Sequence, residues 1–385
     1  MTVYAQAPVP GSGRSRVIAE AAVLIALLVA LPLLGLALGD RPITPYLELP
    51  PRTRPVPHAP YSPQAFALFA ALALAATGLI GALAWPRRPG PRPIEARPQP
   101  FPWWGWAGLA WLAGAWLLAW TRFGWMEALQ PYTFAPIWVG YVVAINAHTF
   151  RRTGHCLLRD RPGFLLALFL ASAVFWWYFE YLNHFVQNWY YVGVQSFGPR
   201  TYVLHASLAF STVLPAVTST MQWLHSYPLL RRGYARPVRI AGTRGLGLFT
   251  VLAAGLALAG LAAWPELLFP LVWMAPLLLV LGIQALRGEP TWFADLASGR
   301  WERLYLPALA APLCGLLWEM WNFHSQAKWV YSIPFVQRYH LFEMPLLGYT
   351  GYLPFGLECA VIADLVGRAF RRPPQLLPTS DRRLA

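Results

Sequence analysis

The sequence predicts an all-α integral membrane protein with about ten transmembrane helices. Hydrophobic residues make up 57% of its 385 residues and charged residues only 12%, whereas soluble domains carry roughly 25% charged residues. The apolar residues also come in blocks of about 18 to 24, the length that crosses a hydrocarbon core roughly 30 Å thick. The abundant tryptophan and tyrosine fit rings placed at both membrane–water interfaces.

The ten predicted spans are 17–39, 62–85, 103–121, 130–149, 163–186, 201–223, 244–263, 265–286, 303–321 and 341–367. If the N-terminus is cytoplasmic, the even-numbered connections and the C-terminal tail hold most of the arginines, as the positive-inside rule requires. We therefore expect both termini in the cytoplasm and a location in the inner membrane of a bacterium. The first run ends at Asp40-Arg41-Pro42 without a clear small-residue cleavage site, so we expect a retained span rather than a removed signal peptide.

The net charge of +14 comes almost wholly from arginine, because Lys328 is the only lysine. A basic chain can bind nucleic acid, but these arginines lie in short loops between hydrophobic runs. We expect no nucleic-acid partner, and membrane lipid or an isoprenoid as the partner. The oligomeric state is open. Cys156, Cys314 and Cys359 show no CxxC and no metal-ligand spacing, so neither a disulfide framework nor a zinc site is predicted.

Two proline-rich stretches and one basic stretch divide the chain. Proline-rich segments are extended and semi-rigid rather than helical. In order, we expect a disordered N-terminus (1–16), an accessory two-span region (17–85), a Pro-rich linker (86–102), a first four-helix unit (103–225), a basic cytoplasmic linker (226–243), a second four-helix unit (244–368) and a disordered basic tail (369–385).

The two four-helix units share a short pattern at an offset of 139 residues. Glu180-x-x-Asn183 matches Glu319-x-x-Asn322, and Pro215 matches Pro354. Further matches are Trp189-Tyr190 with Trp329-Val330-Tyr331, after a one-residue slip, and Phe134–Trp138 with Phe269–Trp273. Because four spans is an even number, both units would keep the same orientation, as parallel tandem repeats. Chance likeness between Trp-rich spans is the alternative.

The repeated pattern also predicts a polar pocket near the outer leaflet. Ionisable groups inside a span usually face a bundle interior or water and find a partner, and a buried carboxyl group can serve as an acid. The candidate catalytic residues are Glu180, Glu319 and Glu343. The candidate substrate-binding residues are Asn183, Asn188, Trp189, Tyr190, Asn322, His324, Lys328, Trp329, Tyr331 and Glu358. The alternative is that these groups only bond between spans, as Asn and Glu often do.

Three further expectations concern single residues of this pocket. Lys328 pairs with Glu319 or Glu343, or contacts lipid headgroups, since lysine near span ends snorkels. His184 with Glu180, or His324 with Glu319, forms no recognised metal-ligand set, so no metal is predicted; the cofactor is unknown. Pro345 and Pro354 interrupt the last span, and a broken helix at membrane depth is tolerated where it lines a cavity or is buried in protein.

The stretch Trp318–Glu358 resembles the lycopene cyclase domain of carotenoid enzymes in three features. These are an acid early in a span, a Trp-x-Tyr outer loop, and a carboxylate with proline at the start of the next span. In that family a proline leads two adjacent acids, whereas here the order is Glu343-Met-Pro345. The chain also resembles uncharacterised bacterial multi-span membrane proteins that share the Trp-Glu-x-x-Asn and Phe-Glu-Met-Pro patterns. That resemblance implies no activity.

The leading functional hypothesis is a membrane protein that binds or modifies an isoprenoid, carotenoid or lipid. The resemblance to lycopene cyclase implies acid chemistry, an isomerisation in which pocket acids protonate a double bond. Aromatic rings would then stabilise the carbocation by cation–π attraction. Whether the protein is an enzyme stays open. The alternatives are a membrane transporter and a non-catalytic assembly or scaffold protein.

Overall fold

The computed structural model describes residues 13–51, 53–84, 98–231, 243–298, 301–370 and 376–377. The predicted disordered ends (1–16 and 369–385) and the predicted linkers 86–102 and 226–243 lie largely outside these residues. The chain is mostly helical (72%) with almost no sheet among the described residues, which confirms the all-α class.

The helices in chain order are α1 (Gly13–Leu38), α2 (Pro63–Ala84), α3 (Trp103–Trp120), α4 (Phe134–Thr153), α5 (Leu157–Asp160), α6 (Pro162–Val186), α7 (Pro199–Phe210), α8 (Val213–His225), α9 (Pro228–Arg231), α10 (Arg244–Ala263), α11 (Pro265–Leu268), α12 (Ala275–Leu286), α13 (Glu302–Phe323) and α14 (Tyr352–Arg368). Short 3-10 helices cover Thr44–Leu47, Gly124–Met126, Gln130–Tyr132, Phe269–Trp273, Ala294–Ser298 and Leu346–Gly351. The strands are β1 (Trp189–Val192), β2 (Lys328–Tyr331), β3 (His340–Leu341) and β4 (Met344–Pro345).

Six helical segments of the described chain are long and apolar enough to cross a membrane. They are Pro63–Ala82, Pro162–Val186, Pro199–His225, Arg244–Ala263, Glu302–Phe323 and Leu346–Arg368. A seventh is the pair Pro265–Trp273 and Ala275–Leu286, which bends by 56° at its break. These segments make the chain a membrane protein. Each predicted span overlaps a helix of the structure, but the count of ten and the tandem arrangement stay predictions.

The two halves of the chain, residues 98–231 and 243–370, pack in matching ways. In the first half α3 lies along α4, and in the second α10 lies along α12. Each half then reaches into the other, because α8 packs on α13 while α14 packs on α6, and α8 touches α14. A Cβ atom on Gly356 would lie 2.1 Å from the Pro307 carbonyl oxygen, so glycine is what allows α14 to approach α13 this closely. Small residues serve this purpose in membrane bundles.

The two spans predicted as an accessory pair differ in how they pack. Helix α1 lies along α10, where a Cβ atom on Gly35 would be 2.0 Å from the Ala259 carbonyl oxygen. It also accepts hydrogen bonds from α6, since the Tyr181 hydroxyl donates to the Val29 carbonyl at 2.7 Å. Helix α2 has none of its apolar window buried. The interpretation of both as accessory is untested, but α1 is part of the packed bundle.

The strands β1 and β2 pair antiparallel and join the two halves at one end of the bundle, called here the ribbon end. Trp189 is opposite Tyr331, and Tyr191 is opposite Trp329. Between these pairs Tyr190 faces Val330, so the ladder has a local two-fold relation centred on that pair. The segment before α2 crosses the same end, because the Phe335 amide donates to the Ala59 carbonyl at 3.1 Å. The ribbon therefore fixes the two matching glutamate-bearing helices, α6 and α13, relative to one another.

Candidate functional site

Glu180 lies on α6, fully buried, and accepts three hydrogen bonds on one oxygen. The Oε1 atom receives the Trp176 Nε1–H at 3.0 Å, the Trp189 Nε1–H at 2.9 Å and the Tyr191 hydroxyl at 2.6 Å. The Oε2 atom is buried and has no hydrogen-bond partner. Helical spacing explains the first donor, since residues four apart share a face. The other two come from β1, so this carboxyl group ties α6 to the ribbon.

Glu319 repeats this arrangement on α13, also fully buried. Its Oε1 accepts from the Tyr331 hydroxyl at 2.8 Å, the Tyr352 hydroxyl at 2.8 Å and Trp329 Nε1–H at 3.4 Å. Its Oε2 is again buried without a partner. Two of the donors come from β2 and the third from the start of α14. A buried carboxyl group is costly unless such donors satisfy it, so both glutamates fix the aromatic side chains around them.

The two asparagines of the repeated pattern hold the backbone of the tryptophan that follows. Asn183 Nδ2 donates to the Trp189 carbonyl at 2.7 Å, while its Oδ1 accepts the Asn188 amide at 2.8 Å. Asn322 Nδ2 donates to the Trp329 carbonyl at 2.8 Å, and its Oδ1 accepts the Trp329 amide at 2.9 Å. Each asparagine thus fixes where a strand begins. Within each Glu-x-x-Asn pattern, the asparagine fixes the backbone of the tryptophan and the glutamate accepts a hydrogen bond from the ring of that tryptophan.

The third donor to each glutamate differs between the halves. Where one half has a large aromatic residue, the matching position of the other half has a smaller residue. At an offset of 139, Trp176 matches Gly315 and Val213 matches Tyr352. A Cβ atom on Gly315 would lie 2.4 Å from the Tyr352 ring. Glycine therefore makes room for the tyrosine that donates to Glu319, whereas in the first half the bulky residue is Trp176 and its partner position holds the smaller valine. Each glutamate therefore has three donors, but the third donor comes from a different position in each half.

Burial keeps the ribbon hydroxyls in their donor form. Desolvation first, and the nearby Glu180 second, raise the pKa of the Tyr191 hydroxyl well above its usual value of about 10. Burial and then Glu319 raise the pKa of the Tyr331 hydroxyl in the same way. Both tyrosines are therefore protonated at neutral pH and donate to the carboxyl oxygens.

All six donor side chains line one cavity of about 100 Å³ between the halves. They are Trp176, Trp189, Tyr191, Trp329, Tyr331 and Tyr352. Neither Glu180 nor Glu319 lines the cavity; the donor rings do. The basic side chains that reach it are His205 and Lys328, and the rest of the lining is mostly aromatic and aliphatic.

Around this cavity, aromatic side chains of each half pack against aromatic side chains of the other half. Trp138 of α4 packs against Trp318 of α13, with ring centroids 5.1 Å apart. The matching contact joins Trp273 of the second half to Phe179 of the first, also at 5.1 Å. Trp273 stacks in addition on Trp189 at 5.8 Å. The cavity is therefore complete only when both halves are in place.

Glu343 takes no part in the hydrogen bonds around the two buried carboxyl groups and forms an ion pair with Lys328. Of the partners expected for Lys328, the structure shows Glu343. The lysine ammonium also donates to the Phe323 carbonyl at 3.2 Å and lines the cavity. Glu343 follows β3 and precedes β4, which places it in the hairpin at the ribbon end rather than within a span. The last span accordingly starts later, in the 3-10 helix Leu346–Gly351, with its regular part from Tyr352.

Six predicted binding residues do not line the cavity: Asn183 and Asn322, whose contacts are given above, and four others. His324 is exposed and its ring packs against Trp120 at 4.9 Å. Asn188 is buried, with an Oδ1 that lacks a partner. Tyr190 lies at the centre of the ribbon and is half-buried. Glu358, on α14, is 3% exposed with an unpartnered Oε2. Their assignment as substrate-binding residues stays a prediction.

Tyr191 is the hydroxyl donor that the sequence comparison missed. The match of Trp189-Tyr190 with Trp329-Val330-Tyr331, after a one-residue slip, assigned the role of Tyr331 to Tyr190. Aligning both tryptophans pairs Tyr191 with Tyr331, in a shared Trp-x-Tyr pattern that could have found it. Trp176 and Tyr352 carry no such signal, because each lies opposite a small residue in the other half.

No group of three or more His, Cys, Asp or Glu side chains suitable for a metal ion occurs within the described residues. Comparison of the chain with protein-family models, with curated proteins and with solved structures returns no match. The functional interpretation therefore depends on the geometry of the two glutamates and of the cavity between them. The resemblance to the lycopene cyclase domain stays a prediction.

The reciprocal packing can be tested by a double-mutant cycle. Gly315→Ala places a methyl group into the Tyr352 ring and should destabilise the protein by about 1–3 kcal/mol, as overpacking does. Tyr352→Val removes that ring together with a hydrogen bond to Glu319. The double variant should be more stable than the sum of the two losses, by about 0.5–3 kcal/mol. Thermal unfolding in detergent measures all three. Gly245→Ala, with no atom within 4 Å of the added carbon, is the control for the gain in helix propensity on replacing glycine by alanine, and strict additivity would contradict the assignment.

Glu358 and Glu319 should respond oppositely to the same substitution. Glu358→Met replaces an unpartnered buried carboxyl group by an apolar chain and should stabilise the protein by about 1–3 kcal/mol. Glu319→Met leaves three buried donors without an acceptor and should destabilise it by at least as much. The midpoint of thermal unfolding in detergent reports both. If Glu358→Met instead lowers stability and abolishes binding of a co-purified lipid, Glu358 belongs to the ligand site.

Proposed function

We propose that this protein binds one end of an apolar lipid or isoprenoid in the aromatic cavity between its two halves. The observation that carries the proposal is the cavity itself, whose wall consists of rings donated by both halves and fixed by two buried glutamates. Binding sites for small ligands are typically concave, mostly apolar, and equipped with a few placed polar groups. Rings held by hydrogen bonds also keep their shape when the site is empty, which lowers the ordering cost of binding.

The size of the cavity limits what it can enclose. At about 100 Å³ it is somewhat smaller than the engineered cavity of about 150 Å³ that admits benzene. It therefore suits a small head group or a short branched end, while the remainder of a lipid or isoprenoid lies along the bundle in the membrane.

The orientation of the site follows from the same proposal. The ribbon end carries few cations, among them Arg122, Arg200 and Lys328, whereas the opposite end carries the arginines that follow α4 and close α14. The positive-inside rule then places the ribbon end at the outer face of the membrane and both chain termini in the cytoplasm. In that orientation the ligand enters from the outer leaflet. The ten-span count and the four-plus-four arrangement belong to the same proposal, supported by the matched packing of the two halves.

Filling the cavity should remove the ligand. Ala206 of α7 lines the cavity and is buried, so Ala206→Phe places a ring in the space that the ligand would occupy. We expect the wild-type protein to co-purify with a lipid or isoprenoid that mass spectrometry of an extract identifies, and the variant to lose most of it. Ala71→Phe, on the exposed face of α2, is the matched control. Equal lipid content in all three proteins, or none in the wild type, would refute the proposal and favour a scaffold.

A second candidate function is acid catalysis on the bound ligand, favoured by one observation. Glu180 and Glu319 each have one oxygen that accepts three donors and a second buried oxygen with no partner. That second oxygen is the place for a proton that could be given up. Rings separate the carboxyl groups from the cavity, and the Tyr191 and Tyr331 hydroxyl groups contact Oε1. A proton on Oε2 would therefore reach the ligand only after the carboxyl group rotates to present that oxygen to the hydroxyl, which would accept this proton as it gives its own to the ligand.

The catalytic version requires the acids themselves rather than the shape of the site. Glu180→Gln and Glu319→Gln keep the side-chain volume and remove the acid, so they should abolish product formation while the ligand still co-purifies. The measurement is the lipid and pigment profile of cells that express each variant, compared with cells that express the wild type. Glu289→Gln, at the opposite end of the bundle, is the control for a lost charge. Product formation that survives both glutamate substitutions would overturn acid catalysis by Glu180 and Glu319.

A further inference from the structure

The charges around the cavity are unequal. Among the described residues, Lys328 is the one basic side chain other than His205 that reaches the cavity, and Glu343 already pairs with it. Neither Glu180 nor Glu319 forms an ion pair with any described lysine or arginine. Two carboxyl groups thus lie behind the aromatic wall without a cation of the protein to balance them. A ligand with a positive charge would supply that balance.

The hydrogen bonds made by the aromatic rings that line the cavity also favour a positively charged ligand. In Trp189 and Tyr331 the polar edge of the ring donates to a carboxyl oxygen at 2.9 and 2.8 Å. The faces of aromatic rings carry partial negative charge, and an acceptor at the N–H or O–H edge shifts further electron density into the ring. Cation–π attraction is strongest for tryptophan and grows when water is excluded. The wall therefore suits a cation better than ordinary aromatic packing would.

The chemistry of the lining also selects among cations. A primary ammonium group carries three N–H donors that each need an acceptor, and the ring-lined cavity does not offer the glutamate oxygens directly. A quaternary ammonium group carries no N–H donor, so it loses no N–H hydrogen bonds to water when it enters the cavity. Aromatic cages are the usual protein sites for such groups.

We propose that the cavity recognises a quaternary ammonium head group, as a trimethylammonium carried by a lipid or by a soluble amine. The inference rests on the proposed ligand-binding function and names its ligand class. A second observation is that the Oε2 atoms of Glu180 and Glu319 are buried without partners. An uncompensated buried carboxylate is costly, so a cation held by the adjoining rings would favour the ionised form of these two groups through space.

The test compares head groups on the purified full-length protein in maltoside, a detergent without a charged head. Dihexanoyl lipids with a choline or an ethanolamine head share phosphate and tails, so they differ only in the methyl groups on nitrogen. Tryptophan fluorescence should report choline binding at least about tenfold tighter. Tetramethylammonium chloride, against sodium chloride at equal ionic strength, asks whether the head alone suffices. Binding of tetramethylammonium points to a soluble amine as the source, and binding of the choline lipid alone points to a membrane lipid.

Charge-neutral variants separate the head-group inference from the binding proposal. Glu180→Gln and Glu319→Gln should weaken the choline lipid about fivefold or more because the attraction of the carboxyl groups for the cation is lost, and the weaker binding of the ethanolamine lipid, whose head is also a cation, should fall by a similar factor. Glu289→Gln should leave both affinities as in the wild type. Equal affinity for the two heads in the wild type, or an unchanged affinity for the choline lipid in the variants, overturns the inference and leaves lipid binding intact. If neither lipid binds, the head-group inference is overturned, and the co-purification test with Ala206→Phe decides the binding proposal separately. Should a variant not fold, the wild-type ranking of the two heads decides.

Discussion

A carboxyl group inside an apolar bundle must find hydrogen-bond donors, and the ribbon end of this protein depends on that requirement. Glu180 and Glu319 obtain donors from indole and phenol groups on the chain that follows each helix. Because those donors must face the acid, the chain turns back at once and the two returning segments pair as β1 and β2. The rings that satisfy the acids then line the space between the halves. Two buried acids thus determine the turn, the ribbon and the cavity wall together.

Much of this could be predicted from local sequence. The Glu-x-x-Asn spacing places both side chains on one helix face, and the matching copy in the other half marked the right pair of helices. The pairing of the strands could not be predicted, since four-residue segments some 140 residues apart carry no register signal. That register is also what distinguishes Tyr191 from Tyr190. Glu343 was grouped with the buried acids because it precedes an apolar run, whereas the short β3–β4 hairpin places it next to Lys328.

The first two predicted spans show a second limit of sequence patterns. A span without polar residues suggests a helix that stands aside, and α2 fits that expectation by its exposure. Helix α1 is also largely apolar but packs along α10, because Gly35 lets the two backbones meet. In a membrane, packing of small residues drives helix association, since lipid is as apolar as the side chains. Composition alone therefore does not reveal which apolar helix joins the bundle.

The reciprocal choice at Trp176 and Val213 against Gly315 and Tyr352 has a consequence for how such a protein can evolve. An assembly of two identical chains must use the same third donor on both sides, because any substitution appears twice. Joining both halves in one polypeptide removes that restriction, so each acid can acquire its own neighbour. Glu180 accepts hydrogen bonds from two indoles and a phenol, and Glu319 from two phenols and an indole. A single gene thereby permits the donors of the two glutamates to differ, which symmetry would otherwise prevent.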